Sequence, residues 1–425
     1  MSTHTDIVVI GGGAAGMMAA IKALQEGCDV TVLEKNPFCG KKINITGKGR
    51  CNITNTRPWQ EFSAHIHPNS QFFRSAFYGF SNQDTIELIN AIGVPTVETQ
   101  GKRIFPESMS ARDVSRALQS YMEDLGAALL CDVDVIAVKR DGDSLVTTFC
   151  RTGGGLPEAV SSEAVIVATG GLSYPTTGST GAGYDIARSF GHTITERFPS
   201  LTALKPRRYD LDLQGIELEN VGLVLYVDKS PVQVEEGDLS FTDNGIEGSI
   251  GYRVSRKAVW ALSHGQKVEL ELDLKPALNL EKLEARISRE IAAIGSSRST
   301  IGATKLRGLL RTFMPQALVK PFADSHPGLG ADNLAAALKS WIFKIDSYTG
   351  YERCVVTAGG VSQKEIIAKT MCSKLDPGLY FAGEILDLDG DTGGYNLQIA
   401  FSTGALAGRS AAQRILNSRL VSEEG

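Results

Sequence analysis

The feature that most narrows what this chain can fold into is its first thirty-five residues. Asp6-Ile-Val-Val-Ile10 is a short, β-branched, almost unbroken apolar run, which suits a strand buried on both faces of a parallel sheet. Gly11, Gly13 and Gly16 follow at the spacing G-x-G-x-x-G. Glycines so spaced give a sharp turn, close approach of backbone to a pyrophosphate, and tight packing of helix on strand. Ala14 to Gln25 lacks proline and is rich in Ala, Met and Leu, predicting a helix. Its first N–H groups, around Ala14 and Ala15, face the phosphates. A second strand, Val30 to Leu33, ends on Glu34, where a carboxylate accepts hydrogen bonds from a ribose 2′-hydroxyl and repels a 2′-phosphate. An ordinary strand–turn–helix corner needs the glycines but not that carboxylate. The stretch therefore reads as a dinucleotide site, with NAD and FAD both open.

Composition limits the rest. At 425 residues the chain has room for two or three domains, and 42% apolar with 21% charged residues is ordinary for a globular protein. Net charge is −5 with Lys and Arg scattered, which argues against nucleic acid or an anionic membrane as the main partner. Seven cysteines, widely spaced and without a C-x-x-C pair, suggest neither a disulfide framework nor a zinc site, and the six histidines are equally dispersed. No metal is expected. The nucleotide strand begins at residue 6, leaving no room for a signal peptide, and no segment nears the roughly 20 apolar residues of a membrane span. The expectation is a cytoplasmic protein with a small-molecule substrate.

Pro37 to Asn55 is a long loop marked by Gly40, Gly47 and Gly49. A phosphate-binding loop of the G-x-x-x-x-G-K-[ST] kind fails here. The glycine before Gly47-Lys48 is seven residues back, and Gly49 stands where Ser or Thr is needed. A loop that wraps a cofactor, with Arg50 and backbone N–H groups serving it, is the better reading. Residues 69–92 and 110–126 read as helices, Gly101 to Pro106 as a hairpin arm, and Ala127 to Val138 as a strand broken at Cys131–Asp134. Glu163 to Gly171 is a buried strand running into Ala168-Thr-Gly-Gly, followed by a glycine-rich turn and a helix to about Phe190. Paired with Gly11–Gly16, that second turn favours FAD, because two-motif flavoproteins close the pyrophosphate crevice with one.

Between 201 and 275, alternation at Leu223–Val227, Val232–Glu236 and Val268–Leu274 predicts a small antiparallel sheet or barrel. From 276 to 350 three helical patterns follow, Leu280–Ile294, Lys305–Phe313 and Asp332–Phe343, punctuated by Pro315, Pro321 and Pro327. Residues 201–350 thus read as a domain inserted into a discontinuous one made of 1–200 and 351–425. The returning part carries Cys354 to Val361, a strand into a Gly-Gly turn, and Pro377 to Glu384, a strand ending on a carboxylate. Asp391-Thr-Gly-Gly394 then opens a helix, Leu397 to Leu416, whose N-terminus suits the negative charge a flavin N1/C2 carbonyl gains on reduction.

Together these segments resemble the YhiN/BaiN-type, aminoacetone-oxidase-like flavoprotein family. The matching pieces, in family order, are Val9-Ile-Gly-Gly-Gly-Ala-Ala-Gly16, Gly49-Arg-Cys-Asn-Ile-Thr-Asn55, Ala168-Thr-Gly-Gly171, Thr357-Ala-Gly-Gly-Val361 and Gly378 to Gly390 into Gly393-Gly-Tyr-Asn-Leu-Gln398. The resemblance implies an α/β fold: a Rossmann-like, glutathione-reductase-like domain holding non-covalent FAD, interrupted by a β-barrel and helical insert. It implies that Gly11, Gly13 and Gly16 cradle the pyrophosphate, Glu34 holds the adenosine ribose and Val133 meets the adenine. Gly383 and Glu384 would meet the ribityl-phosphate side, and Asn396, Leu397 and Gln398 would line the flavin. Lys35, Lys42, Thr46, Gly49, Arg50, Cys51, Asn52, Ala168, Thr169, Gly170, Gly181, Tyr184, Asp387 and Gly394 complete the expected cofactor-binding set. Two departures stand out: Lys48 interrupts the family's Gly-Gly-Gly-Arg-Cys-Asn, and Thr242-Asp-Asn-Gly-Ile-Glu-Gly-Ser249 replaces Thr-His-x-Gly-x-Ser-Gly-Pro.

FAD would supply the redox chemistry and the protein its placement. Arg50 and Tyr395 are the candidates for the catalytic step, with Tyr184 and Tyr252 as further acids; a packed tyrosine is the bland alternative for each. Cys51 reads as an inert buried thiol, Asp243 and Arg253 as substrate-contacting or merely solvated, and His65 and His67 as loop residues. Three functions follow: an FAD reductase of an activated C=C, such as a steroid or bile-acid enone, with NAD(P)H as transient donor; an FAD amine oxidase producing peroxide; or a flavin-bound sensor without turnover. The first is preferred. No second nucleotide-binding βαβ unit is visible, so any nicotinamide would dock transiently on the flavin.

Overall fold

Burial on both faces decides the centre of the first unit. Strands β1 (Thr3–Ile10) and β2 (Val30–Leu33) run parallel, and Ile7, Val8, Val9 and Val32 are wholly inaccessible to solvent. Such strands need cover on two sides, and helix α1 (Ala14–Gln25) supplies one layer with Met17, Met18 and Ile21. The computed structural model describes residues 3–298 and 301–423. It divides into two units, Met1–Phe198 with Val355–Gly425, and Pro199–Cys354.

In the first unit, β2 pairs on its far side with β3 (Ala128–Leu130), and β1 with β4 (Glu158–Val167), which pairs in turn with β5 (Leu379–Phe381), all parallel. The spatial order is β3-β2-β1-β4-β5. Chain order reverses between β1 and β4, so the carboxyl ends of those strands open the crevice in which α/β sheets of this kind take ligands. A hairpin, Val133–Asp141 with Ser144–Arg151, adds antiparallel pairing to the first half of β4.

The helix α2 (Tyr395–Glu423) runs against α1. The contact is backbone on backbone. A Cβ on Gly404 would lie 2.2 Å from the Ala15 carbonyl oxygen, and one on Gly408 would lie 2.0 Å from that of Ala19. Gly16 is equally constrained, since a Cβ there would sit 1.8 Å from the Gly11 oxygen. Residues 69–92, expected as one helix, form two, Ser70–Gly79 and Asn82–Ala91. A capping box at Ser81 and Asp84 restarts the second, a local signal that outweighs continuous periodicity.

The second unit holds a closed six-stranded barrel in the order Leu204–Pro206, Gly245–Glu247, Ser230–Thr242, Glu217–Val227, Val268–Asp273, Trp341–Tyr348. Three expectations are corrected here. The stretch expected as helix up to Phe343 instead forms the short helix Leu334–Lys339 and then the closing strand. In that strand Trp341, Phe343 and Ile345 are buried while Ile342, Lys344 and Asp346 are exposed, a period of two that no helix can satisfy. Within the segment expected to be purely antiparallel, Gly248–Ser263 is a four-turn helix burying Ile250, Val254 and Ala258. Pro321 does not punctuate either: it lies inside the helix Gln316–Ser325.

Replacing Gly408 by Val should destabilise the protein by about 2 kcal/mol or more, because the clash is with backbone that cannot rotate away. Denaturant unfolding of the two proteins checks this.

Candidate functional site

Side chains and backbone of the first unit surround an open cavity. Its floor is the β1–α1 turn, with Gly11, Gly13, Ala14 and Ala15 in the lining. An added Cβ on Gly11 would strike the Ala168 carbonyl oxygen at 2.6 Å, whereas one on Gly13 would meet nothing within 4 Å. Gly11 therefore serves the crossing of two strand ends, and Gly13 keeps the cavity itself clear.

At one end Glu34 is 6% exposed. Its carboxylate accepts from the Gly12 N–H at 2.6 Å, the Asn36 N–H at 2.7 Å and the Asn36 amide at 2.6 Å. The Asn36 amide also donates to the Thr177 oxygen at 2.9 Å, tying the β2 end to the turn after β4. Val133, Asp134 and Val135 complete this end. The other end is made by Lys42, Thr46, Gly383, Glu384, Leu388, Asn396, Leu397, Ile399 and Ala400. Burial acts to raise the Glu384 carboxyl, but the charge and hydrogen bond of Lys42, with the Ser173 hydroxyl and the Thr357 N–H, outweigh it and hold it below the usual carboxylate range. Between the ends, Ala168, Thr169 and Gly170 reach the lining, and the buried Thr169 hydroxyl has no hydrogen-bond partner among the described residues.

Of the expected set, Gly11, Gly13, Ala14, Ala15, Glu34, Lys35, Lys42, Thr46, Val133, Ala168, Thr169, Gly170, Gly383, Glu384, Asn396 and Leu397 are thus brought together. The structure does not bring Gly16, Gly49, Arg50, Cys51, Asn52, Gly181, Tyr184, Asp387, Gly394, Tyr395 or Gln398 into the lining. Gly16 is spent on the helix–strand contact. Arg50 is exposed, its guanidinium stacked over Phe105 at 5.6 Å and its Nε donating to the Gly47 oxygen at 3.2 Å. Cys51 is wholly buried, which pushes its thiol up to about 12 and makes it inert. The Asn52 amide donates to the Thr54 oxygen at 3.1 Å and accepts from the Gly394 N–H at 3.0 Å, while Asn55 donates to the Gly393 oxygen at 3.0 Å. A Cβ on Gly394 would meet Thr54 backbone at 2.5 Å. Of the Pro37–Asn55 loop, expected to wrap a cofactor, Gly40, Lys41, Lys42, Ile43 and Thr46 line the cavity, while its Gly-Arg-Cys-Asn stretch braces the glycine turn at the head of α2. Lys48, where the family has glycine, adopts φ +58°, a conformation costing an ordinary residue about 1 kcal/mol.

Gly181 adopts φ +86° as it leads into the helix Ala182–Ser189, and Tyr184 of that helix is 1% exposed beneath Arg197 at 5.0 Å. Gln398 turns away from the cavity toward the Phe80 oxygen and Ser402. Tyr395 is 3% exposed, edge-on to Phe62 and stacked on His65, both at 4.7 Å, and it is not among the residues lining the cavity. In the second unit Tyr252 bonds Glu247, Arg253 pairs with Glu235 and Asp243 pairs with Arg353.

His65 and His67 are more than loop residues. Both bond one carboxylate, Asp391, at 2.8 and 3.1 Å. Asn36, Ser173 and Thr357 also escaped notice in the sequence. A short polar residue two places beyond an acidic strand end was a usable signal for Asn36; nothing local marked the other two.

With β3-β2-β1-β4-β5 order, a glycine turn at the β1–α1 junction and a second turn closing the crevice, the first unit has the build of a dinucleotide-binding flavoprotein. The chain belongs to the family described as HI0933-like protein Rossmann domain, whose profile matches residues 5–410, and with it to the FAD-dependent oxidoreductases. It is 29% identical over 415 residues to a 3-dehydro-bile acid delta(4,6)-reductase of Clostridium scindens, covering 96% of this chain and 99% of that protein. To a ribosomal RNA dihydrouridine synthase of Haemophilus influenzae it is 30% identical over 418 residues, with 95% and 97% covered. Among solved structures, the 3-ketosteroid-delta4-(5alpha)-dehydrogenase of Rhodococcus jostii RHA1 shares the fold, with a TM-score of 0.54 at 16% identity over 96% of this chain and 97% of that one. The residues present fit FAD: a long cavity, a glycine turn with open space above Gly13, and a buried hydroxyl awaiting a partner.

The Asp391 carboxyl gives a pH test. Burial acts to raise it, but hydrogen bonds from His65 and His67 prevail and hold it down to about 2. A depressed carboxyl contributes stability above its unfolded value of 3.8, and loses it as pH falls toward about 2. Asp391→Asn should therefore cost about 2 kcal/mol at pH 7, with the gap to wild type closing below about pH 4 in denaturant titrations.

Proposed function

We propose that the chain reduces a carbon–carbon double bond conjugated to a carbonyl, in a small and largely apolar substrate of steroid or bile-acid type. Reduced nicotinamide would dock transiently as donor. The observation that carries this reading is the near full-length likeness to a bile-acid delta(4,6)-reductase. Dihydrouridine is likewise uridine with one ring double bond saturated, so both relatives' names denote the same operation, and neither denotes amine oxidation. FAD, when bound, supplies the exchange of a hydride at its N5.

The chain's own residues divide the binding. Glu34, fixed by Gly12 and Asn36, would receive the adenosine ribose, with Val133 beside the base. Gly13 and the head of α1 would take the pyrophosphate, and the Thr169 hydroxyl would gain a partner there. Lys42, Glu384, Asn396 and Leu397 would surround the flavin end. Asn396 is locked for that task, its amide accepting from the Gly390 N–H at 2.8 Å and donating to the Gly390 oxygen at 2.7 Å.

A second reading is supported by the likeness to a ribosomal RNA dihydrouridine synthase and by one further observation. From Ile291 to Ala323 the chain has Arg298, Lys305, Arg307, Arg311 and Lys320 and no acidic residue, a pattern suited to phosphate contacts on an RNA substrate. The net charge of −5 weighs against it as the main interaction.

The FAD-loaded protein, reduced anaerobically with NADH or NADPH, should be reoxidised rapidly by a 4-ene or 4,6-diene 3-oxosteroid with formation of the saturated product. Reoxidation by uridine-containing RNA and not by the enone would favour the second reading. Rapid peroxide formation from aminoacetone in air would favour an amine oxidase. Gly13→Val should lower FAD affinity at least ~100-fold while changing apo-protein stability by no more than about 1 kcal/mol, since its side chain enters the cavity and not the core.

A further inference from the structure

Six charged side chains line the cavity: Glu34, Lys35, Lys41, Lys42, Asp134 and Glu384. Lys35 pairs with Asp134 at 3.0 Å where both are well exposed, and Lys41 donates to the Asn36 amide oxygen at 3.0 Å. At the other end the arrangement is tighter. Lys42 Nζ donates to Glu384 Oε2 at 2.8 Å and to Ser173 Oγ at 2.9 Å, with the two charged side chains 25% and 16% exposed. Ser173 Oγ donates to Glu384 Oε1, which also accepts from the Thr357 N–H at 2.9 Å. The Gly170–Gly171 turn makes room for the pair. A Cβ on Gly171 would lie 3.0 Å from Glu384 Oε1, and one on Gly170 would lie 3.8 Å from Lys42 Nζ. A single ammonium here would act on a ligand as a full charge, but with a carboxylate 2.8 Å away it acts as a short dipole, whose field falls off much faster.

We infer that Glu384 screens Lys42, so that a flavin bound in this cavity faces a neutral pair, and its electron pair goes to an organic acceptor in preference to dioxygen. This rests on the reductase reading above. In the organic route a hydride forms a new C–H bond at one carbon of the double bond, and a proton from solvent forms the other, so the π bond is replaced by two C–H bonds. In the competing route dioxygen takes the same two electrons and two protons to become hydrogen peroxide. Negative charge builds on oxygen before its protons arrive, so an unscreened ammonium favours the second route. Glu384 is thus a positioning and screening residue for Lys42 and transfers no proton in this scheme.

The experiment compares FAD-loaded wild type, Glu384→Gln, Glu384→Asp, Lys42→Met and the double variant Lys42→Met/Glu384→Gln, with no enone present. Two quantities are read: the flavin midpoint potential by anaerobic dye equilibration, and the rate of reoxidation by dioxygen in stopped flow. Glu384→Gln should raise the potential and speed reoxidation at least about tenfold. Lys42→Met should lower the potential, the double variant should return both quantities to within about twofold of wild type, and Glu384→Asp should lie between wild type and Gln. A Glu384→Gln protein with wild-type potential and oxygen rate overturns the inference. So does a shift of the same sign in Glu384→Gln and Lys42→Met, which marks a structural disturbance. Should Glu384→Gln fail to retain FAD, Lys42→Met decides: a potential that is unchanged or raised overturns it. Failure of wild type to reduce any enone would sink the reductase reading but leave this comparison of potentials intact.

Discussion

The contact on which the nucleotide-binding unit depends is that of α1 with α2, made without side chains at Gly404 and Gly408. These glycines let the backbone of α2 approach the carbonyls of Ala15 and Ala19, so that the two helices sit closer than any pair with Cβ atoms at those positions. One consequence is positional. The head of α1 carries Gly13, the head of α2 carries Asn396 and Leu397, and the cavity lies beside both. A shift of the helices past one another would move the two ends of the cavity independently, and the backbone contact forbids it.

The heads of both helices are in turn set by loops. The Gly12 N–H and oxygen are taken by Glu34 and by the Gly40 N–H, and the Gly393–Gly394 turn is taken by Asn55 and Asn52. The Gly-Arg-Cys-Asn motif therefore acts one step back from the cavity. The His65–Asp391–His67 bridge fixes the same turn from its other side.

What was legible in the sequence was what is encoded within a few residues. Helix α1 and strand β2 occupy Ala14–Gln25 and Val30–Leu33 as expected, because glycines, apolar runs and an acidic strand end mark both limits. The closing barrel strand was missed because the exposed position between Trp341 and Phe343 is the apolar Ile342, which hides the alternation, and no turn signal separates the strand from the preceding helix. The helix Gly248–Ser263 was missed in favour of its β surroundings, though Ile250, Val254 and Ala258 recur at helical spacing. In the site, residues on the turns after β1 and β2 were readable. The partners of Glu384 were not: Lys42, Ser173 and Thr357 come from three remote parts of the chain, and no local pattern tells a carboxylate which cation it will meet. Nor did the motif around Cys51 and Asn52 say that it would brace a turn and leave the cavity wall to others.

The position of β5 and α2 at the far end of the chain has a consequence for biosynthesis. The first two strands and α1 emerge from the ribosome early, but the wall formed by Gly383, Glu384 and Asn396 is translated only after the entire barrel-bearing segment. During that interval the apolar faces of β4 and α1 lack their final neighbours, and the nascent chain has half a binding site. The sheet is thus closed by strands far apart in the chain, a long-range pairing that forms slowly and leaves apolar faces open until it does.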